Sequence, residues 1–304
     1  MQNLMRYKKI YLLISALVLL PGLISLVMFG LRLAVDFTGG SVFTYDVSQL
    51  ETDGEFRQQV TLIFNENKLS PESLAVRGDV LEIKTHTIDS AQNDLILASL
   101  QQVFPDLKQK SFVTIGPSIG RETTKNAFKA LGIASLGIML YIAYAFRNIP
   151  KPYSSLRFGA SAVIAMLHDA FLLIGVFSIL GKLTGVQVDA LFITAALTVI
   201  GFSVHDSIVV FDRIRENLRK LPSSWSFEQV VDFSVAETLN RSVATSLTVL
   251  ITLLSLYILG GESIKYFVLA LLIGIISGTY SSIFTASPIL VLWEDHISSR
   301  KRGK

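Results

Sequence analysis

The sequence predicts a membrane-embedded all-α bundle of six transmembrane helices that carries one α+β domain of the ferredoxin-like type. Three observations predict it. Hydrophobic residues make up 51% of the 304-residue chain and charged residues only 17%, against about 25% charged in a soluble domain. Six apolar stretches each approach the roughly 20 residues that a helix needs to cross a bilayer. Between the first and second of them lies a long polar stretch, Leu31–Lys125, with no run apolar enough to span.

Residues 1–9 are short and basic, with Arg6, Lys8 and Lys9, and read as a cytoplasmic N-terminus. Residues 10–29 are free of charge and give the first span. A signal peptide has a shorter apolar core and a small-residue cleavage site, so a retained helix is expected. Residues 30–126 form the inserted domain. Ser41–Val47 reads as a strand, and Glu55–Asn67 as a helix with Phe56, Val60, Ile63 and Phe64 on one face. Leu74–Val76 and Val80–Lys84 read as strands joined at Arg77-Gly78-Asp79, a hairpin signal. Ser90–Phe104 reads as a helix with Leu95, Leu97, Leu100, Val103 and Phe104 apolar, and Ser111–Ile115 as a last strand. The order βαββαβ is that of a ferredoxin-like unit.

Five spans follow, at 127–146, 158–180, 189–211, 242–259 and 266–293. The last contains Gly274-Ile-Ile-Ser-Gly278, a spacing of small residues that lets helices approach closely, and Pro288, which is expected to kink or end it. Residues 212–241 are expected to be a cytoplasmic loop holding an amphipathic helix, since Ser226 and Gln229 form a capping-box pattern ahead of Phe227, Val230, Val231 and Phe233. Residues 294–304 form a basic tail. Arg147, Lys151 and Arg157 lie between spans two and three, Arg213, Arg215, Arg219 and Lys220 follow span four, and Arg300, Lys301, Arg302 and Lys304 end the chain. The positive-inside rule then places both termini in the cytoplasm and the inserted domain outside.

Several chemistries are excluded or unsupported. The net charge of +3 gives no nucleic-acid footprint. The absence of cysteine removes disulfides, thiolate metal sites and thiol nucleophiles. No phosphate-binding glycine motif and no His-Glu-x-x-His occur, and the four histidines are too scattered for a metal site. No cofactor is expected, and work would draw on the membrane potential, worth roughly 2.3 kcal/mol per elementary charge per 100 mV.

Intramembrane ionisable groups are what can tap that source. His168 and Asp169 lie in the third span, and His205 and Asp206 in the fourth. Placing a carboxylate in hydrocarbon costs roughly 2.5–3.5 kcal/mol on insertion scales, so its presence points to ion or proton movement. The competing reading is an aspartate that merely hydrogen-bonds a neighbouring helix. On a helix Asp206 shares a face with Phe202, Ser203, Val209 and Val210, and Ser203 is its expected local partner. Arg241 opens the fifth span at a similar depth. A carboxylate that alternately pairs with an arginine and faces away from it alternately releases and binds a proton. Asp169 is a candidate intermediate step or a structural cap, and His168 and His205 are candidate shuttles or plain structural hydrogen-bonders. Asp212, Arg213, Arg215 and Glu216 are expected to anchor the cytoplasmic interface through i,i+3 and i,i+4 pairs. Asp36-Phe37-Thr38-Gly39-Gly40 reads as a rigid exit from the first span, its paired glycines permitting a turn other residues resist.

These strings carry a resemblance. Val35-Asp36-Phe37-Thr38-Gly39-Gly40, the run Gly201–Glu216 and Glu237-Thr238-Leu239-Asn240-Arg241-Ser242 resemble signatures of the SecD/SecF family, the last two those of its SecF branch. The resemblance covers nearly the whole chain. It implies half of a pseudo-symmetric core of the resistance-nodulation-division (RND) type, completed by SecD in the bacterial cytoplasmic (inner) membrane. It further implies work with the SecYEG channel, with YajC and YidC as associates and SecA as the preceding motor. The substrate is then an unfolded preprotein drawn outward by the proton-motive force, with the proton as coupling ion and no enzymatic reaction. Asp206 corresponds to the family's intramembrane acid and Arg241 to its partner. His205 departs from the family, which commonly has Asn there, and sets a protonatable group beside Asp206. The alternatives are a stand-alone RND-type small-molecule exporter and a translocon scaffold not coupled to protons.

Overall fold

A computed structural model describes residues 3–302 of the chain. Met1, Gln2, Gly303 and Lys304 lie outside the described residues, as do the side chains of Arg300, Lys301 and Arg302 in the expected basic tail. The chain divides into two compact units, Leu33–Phe128 and Met1–Arg32 together with Lys129–Lys304.

The smaller unit opens on a one-turn helix, α2 (Val35–Thr38), which follows the first long helix α1 (Lys8–Phe29). Strand β1 (Gly40–Asp46), helix α3 (Gly54–Glu66), strands β2 (Ser73–Arg77) and β3 (Val80–Thr85), helix α4 (Ser90–Val103) and strand β4 (Lys108–Ile115) follow in the βαββαβ order expected. The sheet order is β2-β3-β1-β4, every neighbouring pair antiparallel. Alternation along β1 and β3 sends Phe43, Tyr45, Leu81 and Ile83 into the core, where Phe56, Val60 and Phe64 of α3 and Ile96 and Leu100 of α4 meet them. Asp53 and Asp89 cap the two helices, each accepting from a backbone N–H three residues on at 2.8 Å.

Two details differ from the sequence reading. Helix α4 buries Asn93, Ile96 and Leu100, whereas Leu95 is 63% exposed and Val103 49%. The 3.6-residue period through Asn93 selects positions 96 and 100; of the expected apolar set Leu100 is buried and Leu97 and Phe104 pack against the core, and only Leu95 and Val103 face away. Strand β4 begins at Lys108 rather than Ser111, because a bulge at Lys110 of β4, opposite Thr44 and Tyr45 of β1, lets pairing continue to Asp46↔Lys108.

The paired glycines start β1. Gly40 has φ +118°, and a Cβ there would lie 2.7 Å from the Thr85 carbonyl oxygen. No side chain fits that backbone or that space. Gly40→Ala is therefore expected to destabilise this unit by roughly 1–3 kcal/mol, read as lost hydrogen-exchange protection along β1 and β3 in the full-length chain.

The chain boundary between the units falls within α5 (Pro117–Ala145), and the larger unit continues with α6 (Ser155–Thr184), α7 (Ala190–Lys220), α8 (Phe227–Leu259) and α9 (Glu262–Ser281), then a π-helical segment Ser282–Ala286 and α10 (Ser287–Arg302). Six helices among the described residues are long and apolar enough to cross a membrane. The expected cytoplasmic loop 212–241 is instead mostly helix: α7 runs on to Lys220 and α8 starts at Phe227. The capping box does form, with Gln229 N–H donating to Ser226 Oγ at 3.2 Å and Ser226 N–H to Gln229 Oε1 at 2.8 Å. No glycine or proline follows before Leu259, so the amphipathic turn and the fifth span fuse into one helix. Near Pro288 the helix does not break. The π-helical turn immediately before it absorbs the missing N–H, and α10 continues.

The Gly274/Gly278 pair seats α9 against α7. A Cβ on Gly274 would lie 2.1 Å from Val199 Cγ2, and one on Gly278 would lie 3.2 Å from Ser203 Cα. The neighbour of Gly274 is a stiff β-branched side chain on a buried helix. Gly274→Ala is expected to cost roughly 1–3 kcal/mol, with Val199→Ala on the same chain restoring most of it; unfolding in detergent measures both.

Candidate functional site

The centre of the helical unit is polar. Asp169 on α6 has no solvent exposure. The close seating of α9 brings two of its serines, one turn apart, onto this carboxylate. Ser277 Oγ donates to Oδ1 at 2.6 Å, and Ser281 Oγ donates to Oδ2. Ser203 of α7 donates to Oδ2 at 2.5 Å, and His168 Nδ1 lies 3.0 Å from Oδ1. One carboxylate thus ties three helices, and its two oxygens gather three hydroxyl donors and a histidine nitrogen. Such saturation is what a charge in a low-dielectric interior requires.

His168 faces two ways. Its Nδ1 meets Asp169, while its Nε2 is buried and has no partner. The ring lines a cavity of about 350 Å³ between α1, α6 and α9, with Ser15, Ser277 and Tyr280 among the lining residues.

Asp206 stands one helical turn from Ser203. It is only 3% exposed, and its Oδ2 has no hydrogen-bond partner. The expected Ser203–Asp206 bond is absent because Ser203 is engaged across the helix interface by Asp169. Nor does Arg241 meet Asp206: no ion pair or hydrogen bond joins them among the described residues. Helix α8 turns Thr238, Ser242 and Ser246 inward, which leaves the intervening Arg241 on its exposed side. His205 is exposed as well. Of the five expected relay residues, the structure brings His168 and Asp169 into contact and sets Asp206 one turn along α7 from Ser203, the partner of Asp169, with His205 and Arg241 facing outward.

The interface anchors form local pairs of the kind expected. Arg215 pairs with Asp212, Arg213 with Glu216 at 2.6 Å, and Glu216 with Lys220. Sequence reasoning missed Glu237. It takes Arg213 with both oxygens, at 2.5 and 2.7 Å, and accepts from Asn217 Nδ2 at 2.7 Å, so it joins α8 to α7. It also missed the ties made by the N-terminal segment. Met5 N–H donates to Asp232 at 2.7 Å, and Lys8 pairs with Glu228 at 2.8 Å and Asp295 at 2.9 Å. The candidate motif Asp36–Gly40 builds a turn. Thr38 Oγ1 accepts from Lys84 Nζ at 2.9 Å, and Phe37 is buried.

Comparison with known proteins gives the following. Residues 96–296 match the family model of protein export membrane protein SecD/SecF, C-terminal, and residues 24–49 match the SecD/SecF GG motif. The chain is 46% identical over 308 residues to the protein translocase subunit SecF of Thermobaculum terrenum, covering 97% of this chain and 95% of that one. It is 32% identical to the SecDF subunit of Bacillus subtilis, over 94% of this chain but 37% of that longer one. The crystal structure of SecDF, a translocon-associated membrane protein from Thermus thermophilus, superposes with TM-score 0.82 at 30% identity, over 96% of this chain and 38% of that one.

Proposed function

The chain belongs to the SecD/SecF family of protein-export membrane proteins, and from that premise we propose that it works as a SecF-type subunit of the Sec translocase, moved by protons. The single observation that carries the proton reading is Asp206: a nearly fully buried carboxyl in a candidate membrane helix whose Oδ2 lacks any hydrogen-bond partner. A structural aspartate would be saturated, as Asp169 is. A carboxyl without fixed donors on its buried oxygen is not held in its charged form, so its charge can follow what surrounds it. Arg241, outward-facing here, is the group Asp206 meets in another arrangement of the bundle, and His168, held through Nδ1 by Asp169 with its Nε2 without a partner, is the proposed second step of the path.

SecD is the proposed partner, since relatives such as the Bacillus subtilis protein carry both parts in one SecDF chain. The six spans then form half of an RND-type core in the bacterial cytoplasmic membrane. Both termini are cytoplasmic by the charge rule, and the α+β unit faces the outside. Its sheet order β2-β3-β1-β4 supports the ferredoxin-like assignment. SecYEG, YajC and YidC are the proposed associates, unfolded preprotein the substrate, and the proton the coupling ion, without a cofactor or enzymatic step. Purification in mild detergent tests the assembly. A complex with a second six-span protein and the channel is expected, and a lone homotrimer would overturn the reading in favour of small-molecule efflux.

A further inference from the structure

We propose that the Ser203 hydroxyl is a switch shared by the two buried aspartates, donating to Asp169 while Asp206 carries its proton and to Asp206 once that proton has left. The inference rests on the reading of Asp206 as the proton carrier and adds how its charge is felt by the helices.

A serine has one O–H to donate. In this structure it goes to Asp169 Oδ2 at 2.5 Å. Ser203 and Asp206 are three residues apart on α7, which sets their Cβ atoms about 5–6 Å apart on neighbouring turns. A rotation about one side-chain bond redirects the hydroxyl from one carboxyl toward the other. The demand at the two sites is unequal. Without Ser203, Asp169 keeps Ser277, Ser281 and the contact with His168. Asp206 Oδ2 has no donor at all. An ionised carboxylate whose buried oxygen has no donor is penalised far more than one that keeps two hydroxyl donors and the His168 contact. Ionisation of Asp206 therefore takes the hydroxyl from Asp169.

Ser207 Oγ on α7 and Ser242 Oγ on α8 are buried without partners too, but neither bonds Asp169, so of these hydroxyls Ser203 alone couples the two carboxyls. His205 on α7 and Arg241 on α8 are exposed, and His168 and Asp169 on α6 are engaged with each other. Between Tyr266 and Ala286, along α9 and the π-helical segment, the only titratable residues are tyrosines. The mechanical consequence follows from which helices are tied. Ser277 and Ser281 keep α9 on α6, whereas Ser203 is the side chain through which α7 reaches Asp169. Moving that hydroxyl releases α7 alone. A change of charge at Asp206 becomes a loosening of one named helix pair.

Infrared titration of the full-length chain, purified with its SecD-type partner in lipid, tests this. The two carboxyl signals are assigned by their loss in Asp206→Asn and Asp169→Asn. In the wild type the Asp169 carboxylate band is expected to shift as Asp206 titrates. Ser203→Ala keeps the Cβ that packs on Gly278, and it is expected to lose that shift while Asp206 still titrates. Ser277→Ala removes a donor that Asp206 does not share and is expected to keep the shift. Persistence of the shift in Ser203→Ala, or its equal loss in Ser277→Ala, overturns the switch while leaving the proton reading standing. An Asp206 band that never titrates in the wild type overturns both.

Discussion

Asp206→Asn is expected to bring precursor release from gradient-bearing vesicles down to the level seen without a gradient, leaving the gradient-independent part intact. The substitution changes no volume and exchanges one atom. What it removes is the exchangeable proton, because an amide neither gains nor loses one in the accessible pH range. The fold should hardly notice. Asp206 Oδ2 has no hydrogen-bond partner to lose, and a neutral amide is easier to bury than a charge. The variant's unfolding midpoint should thus stay within about 1 kcal/mol of the wild type. The pairing of unchanged stability with lost coupling is the informative result. Release that stayed fully responsive to the gradient would leave the scaffold reading as the better one. Arg241→Ala, altering an exposed side chain, should reduce the same component without unfolding the bundle.

How much of this was legible follows from which forces act along the chain and which act across it. The spans and the βαββαβ order were legible because helix and strand periods are local. Asp206 was legible because a carboxylate inside an apolar run is conspicuous. Arg241 was legible as a charge at a helix start, but not the direction in which it points. That depends on which face of α8 is inward, and the inward face is marked by hydroxyls, Thr238, Ser242 and Ser246, rather than by large apolar residues. The fusion of residues 227–241 with the fifth span was in the sequence as an absence, since nothing between Phe227 and Leu259 breaks a helix.

The polar centre was half legible. Gly274 and Gly278 announced a close helix contact, and Ser277 and Ser281 share their face at spacings of three and four. Small residues on one stripe say that something approaches. They do not say that it is α7, nor that Asp169 lies opposite. Ser203 shows the limit most plainly. Its nearest carboxylate along the helix is Asp206, yet its bond goes to a residue 34 positions earlier in the chain. Local spacing named a partner, and a third helix supplied a different one.

Asp169→Ala is expected to be the most destabilising of the polar substitutions, by roughly 2–4 kcal/mol. The figure comes from two bounds. Side-chain hydrogen bonds inside membrane bundles average about 0.6 kcal/mol each, and four groups meet on this carboxylate. Burial of donors left without partners costs about 1–3 kcal/mol apiece. Serines escape part of that by turning to carbonyls of their own helix, as Ser281 already does toward Gly278 at 3.3 Å. Ser203, Ser277 and Ser281 can retreat in this way, but the ties between α6, α7 and α9 are lost with them. Asp169→Asn offers a sharper comparison. It keeps the shape and one acceptor oxygen but turns an NH₂ toward hydroxyls that were donating. It should lose stability too, by roughly half as much, because hydroxyls can reverse their roles. Asp206→Asn, one turn from Ser203 with a bare oxygen, should lose almost none. Two aspartates in one buried layer would then differ in kind, one holding the helices together and the other free to change its charge. Denaturation of the three variants in the same detergent orders them directly. Equal loss from Asp169→Asn and Asp206→Asn would contradict that division, since it would mean both carboxyls are held by the bundle in the same way.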